Sequence, residues 1–480
     1  MNRTIIQYIL GHVLMIEGIL LFVPCLTALI YWEKEGFSYL LIAILCFIVG
    51  KIMALKKPTN NIFYLKEGCI TTALSWIFLS LFGCLPFVLT KEIPFLPDAL
   101  FETISGFTTT GASILSDVES LSHCSIIWRS FTHWIGGMGV LVFLLAVIPM
   151  SGGSHINLMR AESPGPSVGK LVPTVKSTAR LLYVIYLGMT VLEFILLIIG
   201  GMPVFEAVNI SIATAGTGGF GFKNDSMASY SPHIQWIVTI FMILFGINFN
   251  AYYYILFRQL KKAINMEEVK TYFAIIGIAT TVIFINILHT CSSAFEALTQ
   301  SAFQVGSIMT STGFATADFD LWPQTSKSIL VMLMFIGACA GSTGGGVKVS
   351  RFVIVIKTVF KELRCYIHPK SIQKIKMDGK PVPHEVVRSV NVYFITFFVL
   401  FAASILLISL DGHDLITNFT AVTTTINNIG PGLALVGPTQ NFGFFSPLSK
   451  FVLMFDMLAG RLELFPLLIL FHPSVWKENK

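Results

Sequence analysis

Charge is scarce in this chain: Asp, Glu, Lys and Arg supply 12% of its 480 residues, against roughly 25% in a soluble domain. That scarcity excludes a water-exposed globule, and with it most soluble enzymes and binding modules. Paired cysteines are also missing. The eight cysteines (Cys25, Cys46, Cys69, Cys84, Cys124, Cys291, Cys339, Cys365) are scattered through apolar segments without any CxxC spacing, which argues for small core residues and against a disulfide framework or a metal site. No His/Cys/Asp cluster has metal-ligand spacing and no nucleophile–base pair is visible, so nothing points to an enzyme or to an organic cofactor. No polar stretch is long enough to form a separate sensor domain.

Apolar sequence is what the chain has in abundance: 54% of residues are hydrophobic and the mean hydropathy is +0.76. A membrane-spanning helix needs about 20 mostly apolar residues. Runs of that kind predict about ten spans, near residues 7–32, 37–55, 68–90, 126–150, 178–200, 232–257, 270–289, 327–360 (interrupted), 390–410 and 447–472. The first is too long for a signal-peptide core and lacks a small-residue cleavage site, so it reads as a genuine helix.

The net charge of +6 is unevenly placed. With the N-terminus in the cytoplasm, only Lys34, Lys91, Arg129, Lys223, Lys327 and Lys450 of the 32 Lys and Arg fall outside, and Arg461 lies within a span. This is the positive-inside asymmetry, and it predicts both termini on the cytoplasmic side. A basic inner face suits anionic lipid or a cytoplasmic protein better than nucleic acid.

Four Gly/Thr-rich segments interrupt the apolar pattern: Thr108-Thr109-Thr110-Gly111, Ala215-Gly216-Thr217-Gly218, Thr310-Ser311-Thr312-Gly313 and Asn427-Asn428-Ile429-Gly430. They recur about every hundred residues, too far apart for a solenoid unit. Each sits in the same grammar of apolar span, short amphipathic run, Gly segment, polar stretch and second span. Three short runs have visible starts, at Pro97-Asp98, Pro203 and Ser292-Ser293, residues that suit a helix N-terminus. They are too short to cross a bilayer and read as re-entrant pore helices.

Non-helical backbone at membrane depth is tolerated only where it is buried in protein or lines a water-filled cavity. One such stretch alone reads equally well as a loop or a packing site; four in register point to a shared cavity. Glycine lets carbonyl oxygens turn toward an axis, and rings of carbonyls replace the hydration shell of a cation. Potassium is the natural occupant.

Two apparent nucleotide motifs fail. Gly216-Thr217-Gly218-Gly219-Phe220-Gly221 satisfies GxGxxG, but no strand–turn–helix unit surrounds it. In Gly341-Ser342-Thr343-Gly344-Gly345-Gly346-Val347-Lys348, Val347 stands where a phosphate-binding loop requires lysine.

The motifs TTTGAS (108–113), HWIGGMG (133–139), RAESPGP (160–166), ACAGSTGGG (338–346), NNIGPG (427–432) and GRLELFP (460–466) resemble those of the Trk/Ktr/HKT superfamily of potassium transporters. The likeness runs through nearly the whole chain. Two extra N-terminal helices make it more similar to the Trk membrane subunit than to the shorter Ktr subunit.

The resemblance implies an all-α membrane protein with four M1–pore helix–M2 repeats around a pseudo-fourfold pore. The corresponding division is 1–66 for the extra helix pair, 67–176, 177–265 and 266–387 for repeats 1 to 3, and 388–480 for repeat 4. It implies a multi-pass protein of the inner (cytoplasmic) membrane, a homodimer with one pore per subunit, and a cytoplasmic ring of TrkA-type nucleotide-binding regulatory subunits. The filter would comprise Thr109, Thr110, Gly111, Thr217, Gly218, Gly219, Thr312, Gly313, Asn428, Ile429 and Gly430. Thr110, Thr217, Thr312 and Ile429 would coordinate potassium, the substrate.

Relatives with serine at the first filter glycine pass sodium. Glycine at 111, 218, 313 and 430 therefore points to potassium uptake, with a sodium-permeable HKT-like pathway as the alternative. In the second repeat Gly219 takes the filter role if the frame slips by one.

Two further elements accompany the filter. Five glycines fall among residues 337–346, each costing about 1 kcal/mol in a helix interior, so the eighth span is expected to unwind there. Gly341, Ser342, Thr343, Gly344, Gly345 and Gly346 then form an intramembrane gate or, alternatively, a static kink. Arg461 sits in the last span, where a charge costs at least about 2.5 kcal/mol without a cavity or partner. It reads as an electrostatic barrier beside the permeation path, or as one half of an ion pair with Asp456 or Glu463. Glu17, Glu193, Asn248, Asn250 and Asn286 sit in spans and most are expected to hydrogen-bond between helices, with Asn248 and Asn250 alternatively lining the vestibule; His133 is assigned to packing.

Overall fold

In a computed structural model, the structure describes residues 2–58, 64–139, 175–369 and 373–476. The described chain is almost wholly helical. One hairpin, Lys376–Met377 against Lys380–Pro381, is the only sheet among these residues. The second half of the span expected at 126–150 and the RAESPGP motif lie outside the described residues.

An N-terminal pair comes first. Arg3–Leu20 runs on into Phe22–Tyr31, and Gly36–Ala54 returns beside it. The pair closes on two glycines: a Cβ on Gly11 would lie 2.5 Å from the Gly50 carbonyl, and one on Gly50 would lie 2.6 Å from the Gly11 carbonyl. Small residues give helices in lipid the close backbone approach that drives their association.

Four units of long helix, short helix and second helix follow. The long helices, M1, are Leu65–Gly83 with Leu85–Thr90, Val175–Ile199, Glu267–Ile287 and His384–Ile408. The short helices are Leu96–Phe107, Val204–Gly216, Ala294–Met309 and Leu415–Ile426. Their starts are chemically marked. Pro97 and Asp98 open the first, Pro203 caps the second, and the Ser293 hydroxyl accepts from the Glu296 N–H at 3.1 Å in the third. In the fourth the Asp414 carboxylate accepts from the Thr417 N–H at 3.1 Å. Side-chain caps of this kind satisfy otherwise orphaned N–H groups.

The second helices, M2, are the ones that depart from simple spans. His123–Met138 ends at Gly139; Pro232–Phe245 turns by 93° into Phe249–Leu256. Gln324–Ile336 gives way to a non-helical stretch before Val349–Ile367, and Pro447–Arg461 stops before Phe465–Leu468. Among the described residues six helices are therefore long and apolar enough to cross a membrane, seven if the bent pair is one span. The GRLELFP motif was expected within a continuous span. It holds the break instead, because Glu463 and Leu464 both adopt positive φ.

In repeats 1 and 4, M2 seats directly on the C-terminal end of the short helix of its own repeat. A Cβ on Gly136 would overlap the Phe107 carbonyl, and one on Gly460 the Ile426 carbonyl. Around this centre the core is aromatic. Trp76, Trp128, Phe101 and Phe107 are fully buried, and the Trp128 indole donates to the Gly83 carbonyl at 3.0 Å. Large apolar side chains such as Leu187, Leu192, Ile395 and Leu406 remain exposed, as suits helices solvated by lipid chains.

Candidate functional site

All four short helices end in the same way. Thr109, Thr217, Ser311 and Asn428 adopt left-handed φ of 55, 53, 58 and 55°. Their N–H groups donate three residues back, to Gly106, Thr214, Ile308 and Thr425. The next N–H groups, of Thr110, Gly218, Thr312 and Ile429, donate five residues back, to Ser105, Ala213, Ser307 and Thr424, at 2.8–3.0 Å. This is the Schellman termination, whose left-handed position usually holds glycine. Non-glycine residues there cost about 1–3 kcal/mol each and persist only where their surroundings over-determine them.

Two residues after the cap position the chain takes positive φ again, now at glycine: Gly111, Gly219, Gly313 and Gly430, at 79, 77, 87 and 95°. The second repeat is therefore framed one residue later than the aligned glycines predict. Gly219, not Gly218, matches Gly111, Gly313 and Gly430. The peptide carbonyl matching Thr110, Thr312 and Ile429 belongs to Gly218, and Thr217 takes the left-handed cap position instead. Ser311, absent from the expected filter set, holds that cap position in the third repeat.

These residues close a ring. A Cβ on Gly111 would overlap the Gly218 carbonyl, one on Gly219 the Thr312 carbonyl, and one on Gly313 the Ile429 carbonyl. On Gly430 it would come within 2.9 Å of the Thr110 carbonyl. Each repeat thus abuts the next and the fourth abuts the first, with no room for a side chain at the junctions. All four glycines line one cavity of about 130 Å³, together with Ala112, Phe220 and Pro431. The C-terminal ends of four helices meet here, each carrying roughly half a negative charge. Four negative dipole ends around one small cavity make this an electronegative place.

The interrupted M2 of repeat 3 lies against the residues that precede the ring. From Gly337 to Lys348 the chain is non-helical, with positive φ at Gly337, Gly341, Gly346 and Lys348. A Cβ on Gly344 would stand 2.7 Å from the Thr310 carbonyl, and one on Gly345 2.8 Å from the Asn427 carbonyl. The Gly345 N–H donates to the Ser311 hydroxyl at 2.5 Å. Thr343 donates through its hydroxyl to the Phe245 carbonyl at 3.3 Å. Its own carbonyl accepts from Arg461 Nη1 at 2.9 Å, while Arg461 Nη2 donates to the carbonyls of Gly136 and Gly137. The guanidinium thus joins the loop to the end of the first M2. Neither expected carboxylate partner is used this way: Asp456 accepts from Ser404, and Glu463 pairs with Arg351.

The family model for TrkH, described as a cation transport protein, matches residues 36–478. The chain belongs to the TrkH family. It is 34% identical to the Trk system potassium uptake protein TrkH of Salmonella typhimurium, over all of both chains. It is 30% identical to TrkI of Halomonas elongata, over 98% of this chain and 96% of that one. The crystal structure of the potassium transporter TrkH from Vibrio parahaemolyticus superposes with a TM-score of 0.90 at 31% identity, covering 99% of this chain and 100% of that one.

Several residues of this TrkH-family site have no signature in the sequence. Glu268, on M1 of repeat 3, accepts the Ala340 N–H at 2.6 Å and the Ser350 N–H at 3.2 Å, so one carboxylate grips the chain on both sides of residues 341–346. Its other oxygen accepts from Asn248 at 3.2 Å, which is the inter-helix bond expected of that asparagine. Asn286 likewise accepts from Ser326 at 2.7 Å. The Lys348 ammonium is buried and donates to the carbonyls of Gly344 and Gly345. Arg351 lies over the Tyr393 ring at 4.1 Å as well as against Glu463. Beside the cavity, buried Arg129 and Glu102 pair at 2.7 Å.

Proposed function

We propose that this chain conducts dehydrated potassium through one filter built from its own four repeats, as the membrane subunit of a Trk-type uptake system. The closed ring of Gly111, Gly219, Gly313 and Gly430 against the carbonyls of Gly218, Thr312, Ile429 and Thr110 carries this reading. Those four carbonyls coordinate the ion, and the carbonyls of Thr109, Thr217, Ser311 and Asn428 stand one residue earlier along each strand. Because the glycines leave no space for side chains, the ring cannot relax easily toward a smaller ion. Membrane potential drives entry. The relatives named as Trk potassium uptake proteins support the choice of potassium.

Residues 337–346 act as the gate, and Arg461 holds them. Between Gly341 and Gly346 the loop carries no large apolar side chain and is held beneath the ring by hydrogen bonds, so this part can exchange partners without exposing hydrophobic surface. The guanidinium adds a positive charge beside the path, a barrier to a cation until it moves. The chain works in the inner membrane with both termini cytoplasmic, as a homodimer on a nucleotide-binding regulatory ring. The repeat boundaries of 67–176, 177–265, 266–387 and 388–480 belong to the same proposal.

Flux of each alkali cation in turn, from purified protein in liposomes, tests this. Potassium is expected to pass well ahead of sodium; equal passage of the two would overturn the reading in favour of a sodium-permeable pathway.

A further inference from the structure

The ring is braced differently in its second quarter. In repeat 1 the Thr108 and Thr110 hydroxyls share a hydrogen bond at 2.8 Å, and in repeat 3 Thr310 and Thr312 do the same at 2.7 Å. In repeat 4 the Asn428 amide donates to the Thr110 hydroxyl at 3.0 Å and to the Met457 carbonyl at 2.9 Å. Repeat 2 has glycine at both brace positions, Gly216 and Gly218. It has no hydroxyl pair of its own.

A histidine from the neighbouring repeat stands in that place. His133, on M2 of repeat 1, is fully buried. A Cβ on Gly218 would run into its ring, and one on Gly216 would run into its backbone carbonyl. Two glycines in the second segment thus make room for one histidine, Gly218 for its ring and Gly216 for its backbone. Both ring nitrogens are engaged. Nδ1 lies 2.8 Å from the Gly106 carbonyl, which can only accept, so Nδ1 carries the proton. Nε2 accepts the Phe220 N–H at 3.3 Å, which can only donate. The Phe220 ring lies against the imidazole at a centroid distance of 4.2 Å.

The two bonds reach the two adjacent quarters of the ring. Gly106 also receives the Thr109 N–H of the first cap, at 3.0 Å. Phe220 directly follows Gly219, the second ring glycine. We infer that His133 is a positioning residue for ion selection: it holds the repeat 1 and repeat 2 quarters of the ring in register by bridging the Gly106 carbonyl to the Phe220 N–H. The inference rests on the ring being the filter. His133 does not touch the ion; it acts through the backbone that does. Its removal strands a buried N–H beside Gly219, which the chain can satisfy only by shifting there.

The test compares substitutions that differ in what the ring nitrogens supply. His133→Leu keeps apolar volume and supplies neither bond. His133→Gln offers an N–H and an oxygen with a separation close to that of the imidazole nitrogens, so it can donate to Gly106 and accept from Phe220. Potassium and sodium fluxes are measured on each purified protein in liposomes, normalised to folded protein by size-exclusion chromatography.

The expected result is a potassium-to-sodium ratio about tenfold lower in His133→Leu, as 1.4 kcal/mol of lost discrimination produces, with most of the ratio kept in His133→Gln. A purely structural histidine lowers the amount of folded protein and leaves the ratio alone, and that outcome overturns the inference. Should His133→Leu fail to reach the membrane, Gly218→Ala pushes a methyl group against the ring while keeping the histidine. It carries the same expectation, and an unchanged ratio there overturns the inference equally. A wild-type protein that does not discriminate between the two cations instead overturns the filter reading beneath it.

Discussion

Arg461 and Thr343 are 118 positions apart in the chain, yet the arginine guanidinium donates to the threonine carbonyl at 2.9 Å. The bond links the last M2 helix to the loop inside the third, and through Gly136 and Gly137 to the first. A charge-assisted hydrogen bond contributes about 1.5–3 kcal/mol. If the loop closes the path, Arg461→Ala shifts the closed–open balance by about that much, so potassium flux is expected to rise roughly tenfold at the lower end. Arg461→Lys is expected to fall between, since one ammonium cannot span all three carbonyls. Liposome flux decides: wild-type flux in Arg461→Ala, from folded protein, removes the arginine from gating.

The frame of the second repeat has its own consequence. Gly219 stands where Gly111 stands in repeat 1, at φ of 77 against 79°, and each faces the carbonyl of the next repeat. Gly219→Ser and Gly111→Ser are therefore expected to lower the potassium-to-sodium ratio to a similar extent, about tenfold, as a strained left-handed residue and a displaced carbonyl combine. Ion-selective flux is the measurement. A Gly219→Ser protein with wild-type selectivity beside a defective Gly111→Ser protein would contradict the frame.

This frame shows where the sequence was legible and where it was not. TTTG, TSTG and NNIG each offer one glycine after three non-glycine residues, so those three quarters could be aligned by eye. Ala215-Gly216-Thr217-Gly218-Gly219 offers two frames, and residue identity does not say which glycine turns. The bond from the Gly218 N–H to the Ala213 carbonyl does. The glycine-rich break at 337–346 was equally visible, because glycine weakens a helix wherever it sits. The breaks at Gly246–Asn248 and Leu462–Leu464 were not, since apolar residues on either side read as one span. His133, Glu268 and Lys348 stand near other polar residues in the sequence, with nothing in their spacing to set them apart. Their partners lie at other places in the chain, as in the 72 positions between Glu268 and Ala340, and local spacing carries no trace of such pairs.

Glu268 leads to a prediction about the resting state. Its Oε1 accepts from Ala340 and Ser350, on either side of residues 341–346, so the carboxylate sets the distance between the two ends of that segment. Glu268→Ala strands two buried N–H groups, at a cost of about 1–3 kcal/mol each, and frees the loop. Potassium leak through the purified chain is expected to increase about tenfold. Glu268→Gln retains an oxygen for Ala340 and Ser350 while losing the bond from Asn248, and is expected to leak much less than Glu268→Ala. An Ala variant as tight as wild type would show that the loop holds its shape by itself.

The Glu102–Arg129 pair makes the last prediction, because it fixes the mouth of the ring on the cavity side. Arg129 donates through Nε to Glu102 Oε1 at 2.8 Å and lies over the Phe220 ring at 4.1 Å. The same carboxylate accepts the Ser113 hydroxyl and the Ile114 N–H, both at about 3.0 Å, so it anchors the chain just past Gly111. Both side chains are buried, with exposures of 1 and 2%. Removing one partner of such a pair leaves an uncompensated charge and costs about 3–5 kcal/mol, whereas neutralising both costs far less. Arg129→Met is therefore expected to lower the thermal unfolding temperature in detergent sharply. Arg129→Lys gives little rescue, for want of the guanidinium fork. Adding Glu102→Gln to Arg129→Met is expected to recover part of the loss, since the amide still accepts from Ile114 without carrying charge. If the double variant unfolds at or below the temperature of Arg129→Met alone, charge compensation does not hold the pair, and the packing of the Arg129 side chain over the Phe220 ring is what stabilises this corner of the ring.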